Sequence, residues 1–453
     1  MKIVFGIDSA YIRKGETVPV VWNSQKVINA HMLLVGKSGT GKTYTLKKII
    51  SQLQKQSDNK MRVRIIDVHG DIDMGESTSS IKFSEASPFG FNPLAINPDQ
   101  DFGGVRKRIQ SFMSAINKTS RKLGPKQESV LRNILLDLYA ANGFYEKDPN
   151  SWEIIDNRGN RLSHNGKPKK HPTLEDAFRY ANFKHKAMFL GTSNKAILNL
   201  EEVNKRAKQL YIKQKNIHKA PTPEEVEKMK SELKISGEAA VDSYSKYVES
   251  IESGMELTDL IKYDSIDTLK SVVDRLGNLV SSGIFKNQEP QFDPSCMIWR
   301  YDVRAITNLD EKKLFVYFLL EEIFAKRLQA GQQDDVVEMV LLDEANLFFS
   351  DDADNIINII AKEARKFGLG LCCASQSPTH FSEDFISNVG TKIILGLDQM
   401  FWDGSVRKLK VELQALEWIV PHQKMVVQIN NKAELKNKFT WVSLINPNKE
   451  KLG

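Results

Sequence analysis

The run Gly36-Lys37-Ser38-Gly39-Thr40-Gly41-Lys42-Thr43 constrains this chain more than any other segment. It follows an apolar stretch, His31–Val35, and opens into Tyr44–Ile50, whose spacing suits a helix. A glycine-rich loop set between a strand and a helix commits that part of the chain to a layered α/β arrangement. The glycines let backbone N–H groups turn inward as an anion nest, and the helix N-terminus adds its positive end. Gly36, Ser38, Gly39, Thr40 and Gly41 therefore read as the cradle of a phosphate-binding loop, with Tyr44 as the next nucleotide contact. Lys42 is expected to reach the β- and γ-phosphates of ATP, and the Thr43 hydroxyl to complete a Mg²⁺ shell.

Other short apolar runs read as buried strands of the same sheet: Val63–Val68, Met297–Val303, Val336–Leu342, Gly370–Ser375 and Thr391–Leu397. Segments with helical apolar spacing, such as Leu314–Leu328 and Ile356–Phe367, lie between them. The alternation predicts an α/β fold with a mostly parallel sheet and helices on both faces. About 230 residues separate the second strand from the third, far more than a nucleotide-binding core requires. The expected organisation is a short lead-in over 1–30 and a discontinuous core over 31–95 and 296–430. Residues 96–295 form a mostly helical insertion, and 431–453 a C-terminal strand (Phe439–Leu444) and tail. In the insertion, Gln127–Ala141 and Thr268–Val280 have helix spacing, and Thr222-Pro223-Glu224-Glu225 reads as a helix start. Asn157–Lys170 is expected to be an exposed loop.

Composition is ordinary for a soluble protein of 453 residues, at 41% hydrophobic and 27% charged, so a large core is possible. Cys296, Cys372 and Cys373 have no metal-ligand spacing, and the neighbouring pair reads as packed thiols of a reducing compartment. No apolar stretch approaches a membrane span and the N-terminus lacks a signal-like run, so a cytoplasmic protein is expected. The net charge of +7 is clustered. Between Arg161 and Ala220, 14 Lys/Arg face four acids, and a second basic cluster spans Arg106–Lys126. Such clustering suits a phosphate-backbone partner.

A second nucleotide motif follows. Val336–Leu342 runs into Asp343-Glu344, where Asp343 is expected to hold Mg²⁺ and Glu344 to polarise the attacking water. Downstream, Glu363–Pro378 joins a basic helix end to a buried strand stopping at Gln376, which is expected to present its amide to the γ-phosphate. Arg365 is a candidate arginine finger for a neighbouring subunit's site.

Taken together, these motifs resemble the HerA–FtsK clade of motor ATPases, with the HerA branch of DNA-translocating hexameric ATPases the best match. The resemblance rests on Gly36–Thr43, Asp67-Val-His69-Gly-Asp71, Phe91-Asn-Pro-Leu94, Asp343-Glu344 and Glu363–Pro378. It implies a RecA-like core assembled as a hexameric ring, with ATP at subunit interfaces and DNA in the central channel. It also implies that Asp67 and His69 lie beside the nucleotide, that Gln376 is the sensor and that Arg365 is the finger. Val68 and Asp71 stand where the family pattern has proline and glutamate, and the family's N-terminal barrel is expected to be vestigial or absent.

The leading expectation is an ATP-driven DNA translocase or helicase working with a nuclease or other effector, in DNA processing or anti-phage defence. Two others remain: a secretion or conjugation ATPase at a membrane channel, and a nucleotide-gated scaffold for an effector.

Overall fold

The computed structural model describes all residues except 13, 59, 120, 157, 191–193, 218–222, 251–261, 353–354, 434–437 and 445–453. The expected N-cap Thr222 and most of the C-terminal tail lie outside the described residues. By Cα proximity the chain divides into two compact units. One comprises Met1–Pro93, Ser114–Arg121 and Ser282–Gly453, and the other Leu94–Met113 and Lys122–Ser281.

Thirteen strands are described: β1 (Lys2–Asp8), β2 (Pro19–Asn23), β3 (Met32–Val35), β4 (Arg62–Asp67), β5 (Thr78–Lys82), β6 (Ser163–His164), β7 (Lys167–Pro168), β8 (Ile298–Asp302), β9 (Glu338–Leu342), β10 (Leu369–Ser375), β11 (Thr391–Ile394), β12 (Lys424–Ile429) and β13 (Phe439–Ser443). Eleven make one sheet in the first unit, in the order β2-β1-β13-β12-β11-β3-β10-β9-β4-β8-β5. From β11 to β5 every neighbouring pair is parallel, whereas β12, β13, β1 and β2 extend the sheet antiparallel. The mostly parallel α/β fold read from the sequence is therefore present. β1 and β2 pair as a hairpin that completes the edge of this sheet through β13.

Burial explains which strands the sequence betrayed. Every residue of β3, β9, β10 and β11 is buried, and β3 and most of β9 and β10 are accordingly unbroken apolar runs. β5, Thr78–Lys82, buries only Ile81 at the sheet edge and carries no such signal. Cys372 and Cys373 are completely buried in β10, and burial pushes the Cys372 thiol up to about 12, as inert packing groups require. The helix expected to reach Phe367 ends at Glu363, and a 3-10 turn, Ala364–Phe367, leads through Gly368 (φ +68°) into β10.

His31 gives the first unit an acid limit. Its ring is fully buried before β3, Nδ1 accepts the Leu371 N–H at 3.2 Å, and Nε2 has no partner among the described residues. Burial first, and the Arg365 charge second, lower its pKa to about 4. The unfolded chain, with a histidine pKa near 6.5, binds this proton first. The stability held above that pH is lost as pH falls through the folded value, about 3 kcal/mol in all. In urea unfolding at pH 7 and pH 4.5, His31→Gln should lose less stability on acidification than the parent. Equal losses would assign the acid sensitivity to other groups.

The second unit is largely helical, with helices including Pro125–Ala141, Leu174–Leu190, Asn194–Ile217, Pro223–Glu249 and Ile266–Ser281. One sequence expectation fails here. The 157–170 segment is exposed for most of its length but is not a plain loop, because β6 and β7 pair in it. Asn165 (φ 50°) and Gly166 (φ 71°) make the two-residue turn that Asn-Gly favours when both residues are left-handed.

Candidate nucleotide site

β3, β10 and β9 lie side by side, and their carboxyl ends carry the phosphate loop, Gln376 and Asp343. In open parallel sheets this is where ligands bind. The loop is pinned to the neighbouring strand ends: the Gly36 N–H donates to the Ser375 carbonyl (3.1 Å), and the Lys37 N–H to Gly396 (2.8 Å). Buried Thr40 donates through Oγ1 to the Lys37 carbonyl (2.8 Å). A Cβ at Gly36 would lie 2.5 Å from that oxygen, so only glycine fits. Gly39 and Gly41 have φ of +78° and +95°, the left-handed turns that aim the loop inward.

The helix Lys42–Gln56 starts with no side-chain cap, leaving its first amides for an anion. Lys42 arches back over the loop, donating through Nζ to the Gly36 carbonyl at 2.8 Å. Thr43 Oγ1 donates to Asp71 Oδ2 at 2.9 Å. Ser38 and Tyr44 are exposed, Tyr44 at 67%.

Oxygen atoms of Asp67, Asp71 and Asp343 lie within 4.8 Å of one another. The three acids are not equivalent. Asp67 is fully buried, accepts the Gly70 (2.6 Å) and Ile72 (3.1 Å) N–H groups, and pairs with Arg300 Nε at 2.8 Å. Its carboxylate is spent on shaping the loop that presents His69 and Asp71. Asp343 is buried, and burial first, then the neighbouring Glu344 charge, raise its carboxyl to about 6. Asp71 and Asp67 add to this, and His69 opposes it. Excess negative charge beside a threonine hydroxyl is an all-oxygen donor set that suits Mg²⁺. Glu344 follows in a left-handed conformation (φ 48°), strain of the kind that collects at functional sites. It is buried, with Oε1 3.8 Å from His69 Nε2.

Gln376 is exposed one residue beyond β10, between the strands carrying the loop and Asp343. Arg365 is exposed at the other end of β10, about 20 Å away at the usual strand rise. It is beyond reach of its own chain's phosphate loop.

Two further side chains meet this site without any signal in the sequence. His422, at φ 62°, places Nε2 2.8 Å from the Gly39 carbonyl, and a Cβ on Gly41 would lie 3.1 Å from its Nδ1. Arg304 forms a two-pronged pair with Asp302 (3.0 and 2.7 Å) and fills the space a Cβ on Gly70 would need. Burial pushes the Asp302 carboxyl up, but Arg304 outweighs it and leaves the pKa below the usual value.

Several known proteins are similar to this chain. A DNA double-strand break repair helicase HerA of Pyrococcus furiosus is 29% identical over 192 residues, 33% of each chain. A probable helicase of Methanocaldococcus jannaschii is 20% identical over 405 residues, 86% of this chain and 61% of the relative. The chain thus spans from a third to about three fifths of the length of these relatives. Among solved structures, VirB4 of Thermoanaerobacter pseudethanolicus matches with a TM-score of 0.62 at 13% identity, over 98% of this chain and 96% of that one. The bacterial conjugative coupling protein TrwB matches at 0.50 and 10% identity, over 98% and 94%. These two likenesses are of fold alone. The family described as "Helicase HerA, central domain" matches residues 9–310, two thirds of the sequence, and the chain belongs to that family.

Proposed function

We propose that this protein is a ring-forming ATPase that moves along DNA and works with a nuclease or other effector. The observation that carries the reading is the convergence of Lys42, Thr43, Asp71, Asp343 and Glu344 at the carboxyl ends of adjacent parallel strands. Thr43 and Asp343, joined by Asp71, would hold Mg²⁺, which when bound neutralises phosphate charge. Lys42 and the loop amides orient the β- and γ-phosphates. Glu344 accepts a proton from the attacking water. His69 sits against Glu344 and steadies it, Gln376 contacts the γ-phosphate, and Arg365 completes the site of the next subunit.

Basic clusters in 161–220 and 106–126 supply phosphate-backbone contacts without base reading. The experiment is ATP turnover of the full chain with and without duplex DNA, at rising salt. Stimulation by DNA that fades with salt is expected; no stimulation and no salt-sensitive binding, alone or with its partner, would sink the translocase reading. A defence role would follow from the nature of that partner.

For Arg365, inactive Arg365→Ala chains mixed with inactive Glu344→Gln chains should regain part of the turnover, because some interfaces then hold both intact groups. No recovery would place Arg365 outside the site. The fold likeness to a conjugative coupling protein supports a second reading, energised transport at a membrane channel. Recovery with channel components in a membrane fraction would favour it. No described helix is long and apolar enough to cross a membrane.

A further inference from the structure

The helices Asn194–Ile217 and Pro223–Glu249, within the second unit, pair along their lengths as an antiparallel arm. Asn199 Nδ2 donates to the Lys246 carbonyl (3.0 Å) and Ser250 Oγ (2.9 Å), and Lys213 Nζ donates to Ser236 Oγ (2.9 Å). A Cβ on Gly237 would lie 3.9 Å from Leu210 Cδ1. The helices have 24 and 27 residues, so the arm is about 36–40 Å long. The seam on the second helix is Val226, Met229, Leu233, Ser236, Ala240 and Ser243, spaced by threes and fours. Each helix has an opposite face turned to solvent.

Those outer faces are of opposite sign. On the first helix Lys205, Lys208, Ile212 and Lys215 fall on one exposed stripe, and the helix carries six Lys/Arg against two acids. On the second, Glu227, Glu238, Asp242 and Glu249 fall on one exposed stripe, and the helix carries seven acids against four lysines. Lys205 reaches Glu202 (3.9 Å) and Asp242 pairs with Lys246 (2.6 Å) on their own helices. Among the described residues, Lys208, Lys215, Glu227, Glu238 and Glu249 form no ion pair.

The arm also exposes apolar side chains out of proportion to its size. Seven of the 17 large exposed apolar residues among those described lie on it: Leu198, Tyr211 and Ile212 on the first helix, and Ile235, Val241, Tyr244 and Val248 on the second. Duplex DNA would suit the lysine stripe but would repel the acidic one and leave the apolar groups unexplained. A surface carrying both signs on opposite sides, each edged with apolar residues, is complementary to itself.

We propose that the arm docks onto the arm of a second copy of this chain, the lysine stripe of one lying on the acidic stripe of the next. Because two different faces meet, the contact is heterologous, the type that generates rings when the rotation closes. The inference extends the ring reading given above and names an interface separate from the nucleotide site.

The test is sedimentation velocity on the full chain with ATP and Mg²⁺ at low salt. Lys208→Glu with Lys215→Glu should move the assembly midpoint to about tenfold higher concentration or more, as like charges then meet. Glu227→Lys with Glu238→Lys should do the same. A chain carrying all four changes should assemble like the parent, and an equimolar mixture of the two doubly changed chains should also assemble. This rescue separates lost complementarity from lost folding. Rings that ignore both reversals overturn the arm contact and leave the ring reading standing, whereas a parent chain that stays monomeric overturns both. Unchanged assembly with weaker duplex binding in the lysine variant alone would assign the stripe to DNA and overturn the proposal.

Discussion

Lys42→Ala is expected to lower ATP turnover by about 10³-fold or more, with nucleotide affinity also reduced. The size follows from how phosphoryl transfer is catalysed. Positioning and electrostatics supply nearly all of the acceleration, so there is little covalent chemistry to fall back on. In the proposed site Lys42 would do this, since its Nζ bonds to the Gly36 carbonyl and places a cation across the mouth of the loop. The loop should survive the change. Its backbone is pinned through Gly36 and Lys37 to Ser375 and Gly396, and Leu46, Ile49, Ile50 and Leu53 anchor the following helix in the core. Steady-state turnover with a thermal-unfolding control checks this. Near-normal turnover in a folded variant would remove the phosphate-loop assignment.

Glu344→Gln separates hydrolysis from binding. The side chain keeps its shape and loses only its ability to take a proton, so turnover should drop by about 10²–10⁴-fold. Nucleotide binding should remain, because Lys42, Thr43, Asp71 and Asp343 are untouched. The left-handed backbone at 344 is strained equally by both residues, so the fold should not register the change. Single-turnover kinetics and equilibrium nucleotide binding on the same preparation give the two numbers. Loss of binding together with turnover would make Glu344 structural. Intact assembly and effector engagement in the inactive variant would favour the scaffold reading, and loss of function with the ring intact would exclude it.

The sequence and the structure agree where chemistry is local. The strand, loop and helix around Gly36–Thr43 follow from glycine freedom and apolar spacing within some twenty residues, and Asp343-Glu344 follows from one buried strand. They diverge where long-range packing acts. Nothing near Asp67 announces that its carboxylate is claimed by Arg300, 233 positions away, and so shapes the Asp71 loop. Nothing near Pro421-His422 indicates a ring against the Gly39 carbonyl, 383 positions upstream. The antiparallel extension was hidden in its pairing: Phe439–Leu444 reads as a strand, but nothing near it indicates β12 and β1 as its neighbours, and β1, β2 and β13 are only partly buried and leave no continuous apolar run. Asn165-Gly166 turns the short hairpin inside what the sequence reads as an exposed loop, because two-residue strands leave no alternation to signal it.

By itself the sequence determined the phosphate loop, the acidic strand end and the alternating α/β plan, because each depends on backbone freedom or burial over a few neighbouring residues. Only the tertiary structure decided which carboxylates converge, and that Thr43 meets Asp71. It alone set lysines and acids on opposite sides of one helical arm. Those outcomes depend on strand order and helix pairing, which bring together side chains that the linear chain keeps tens to hundreds of residues apart.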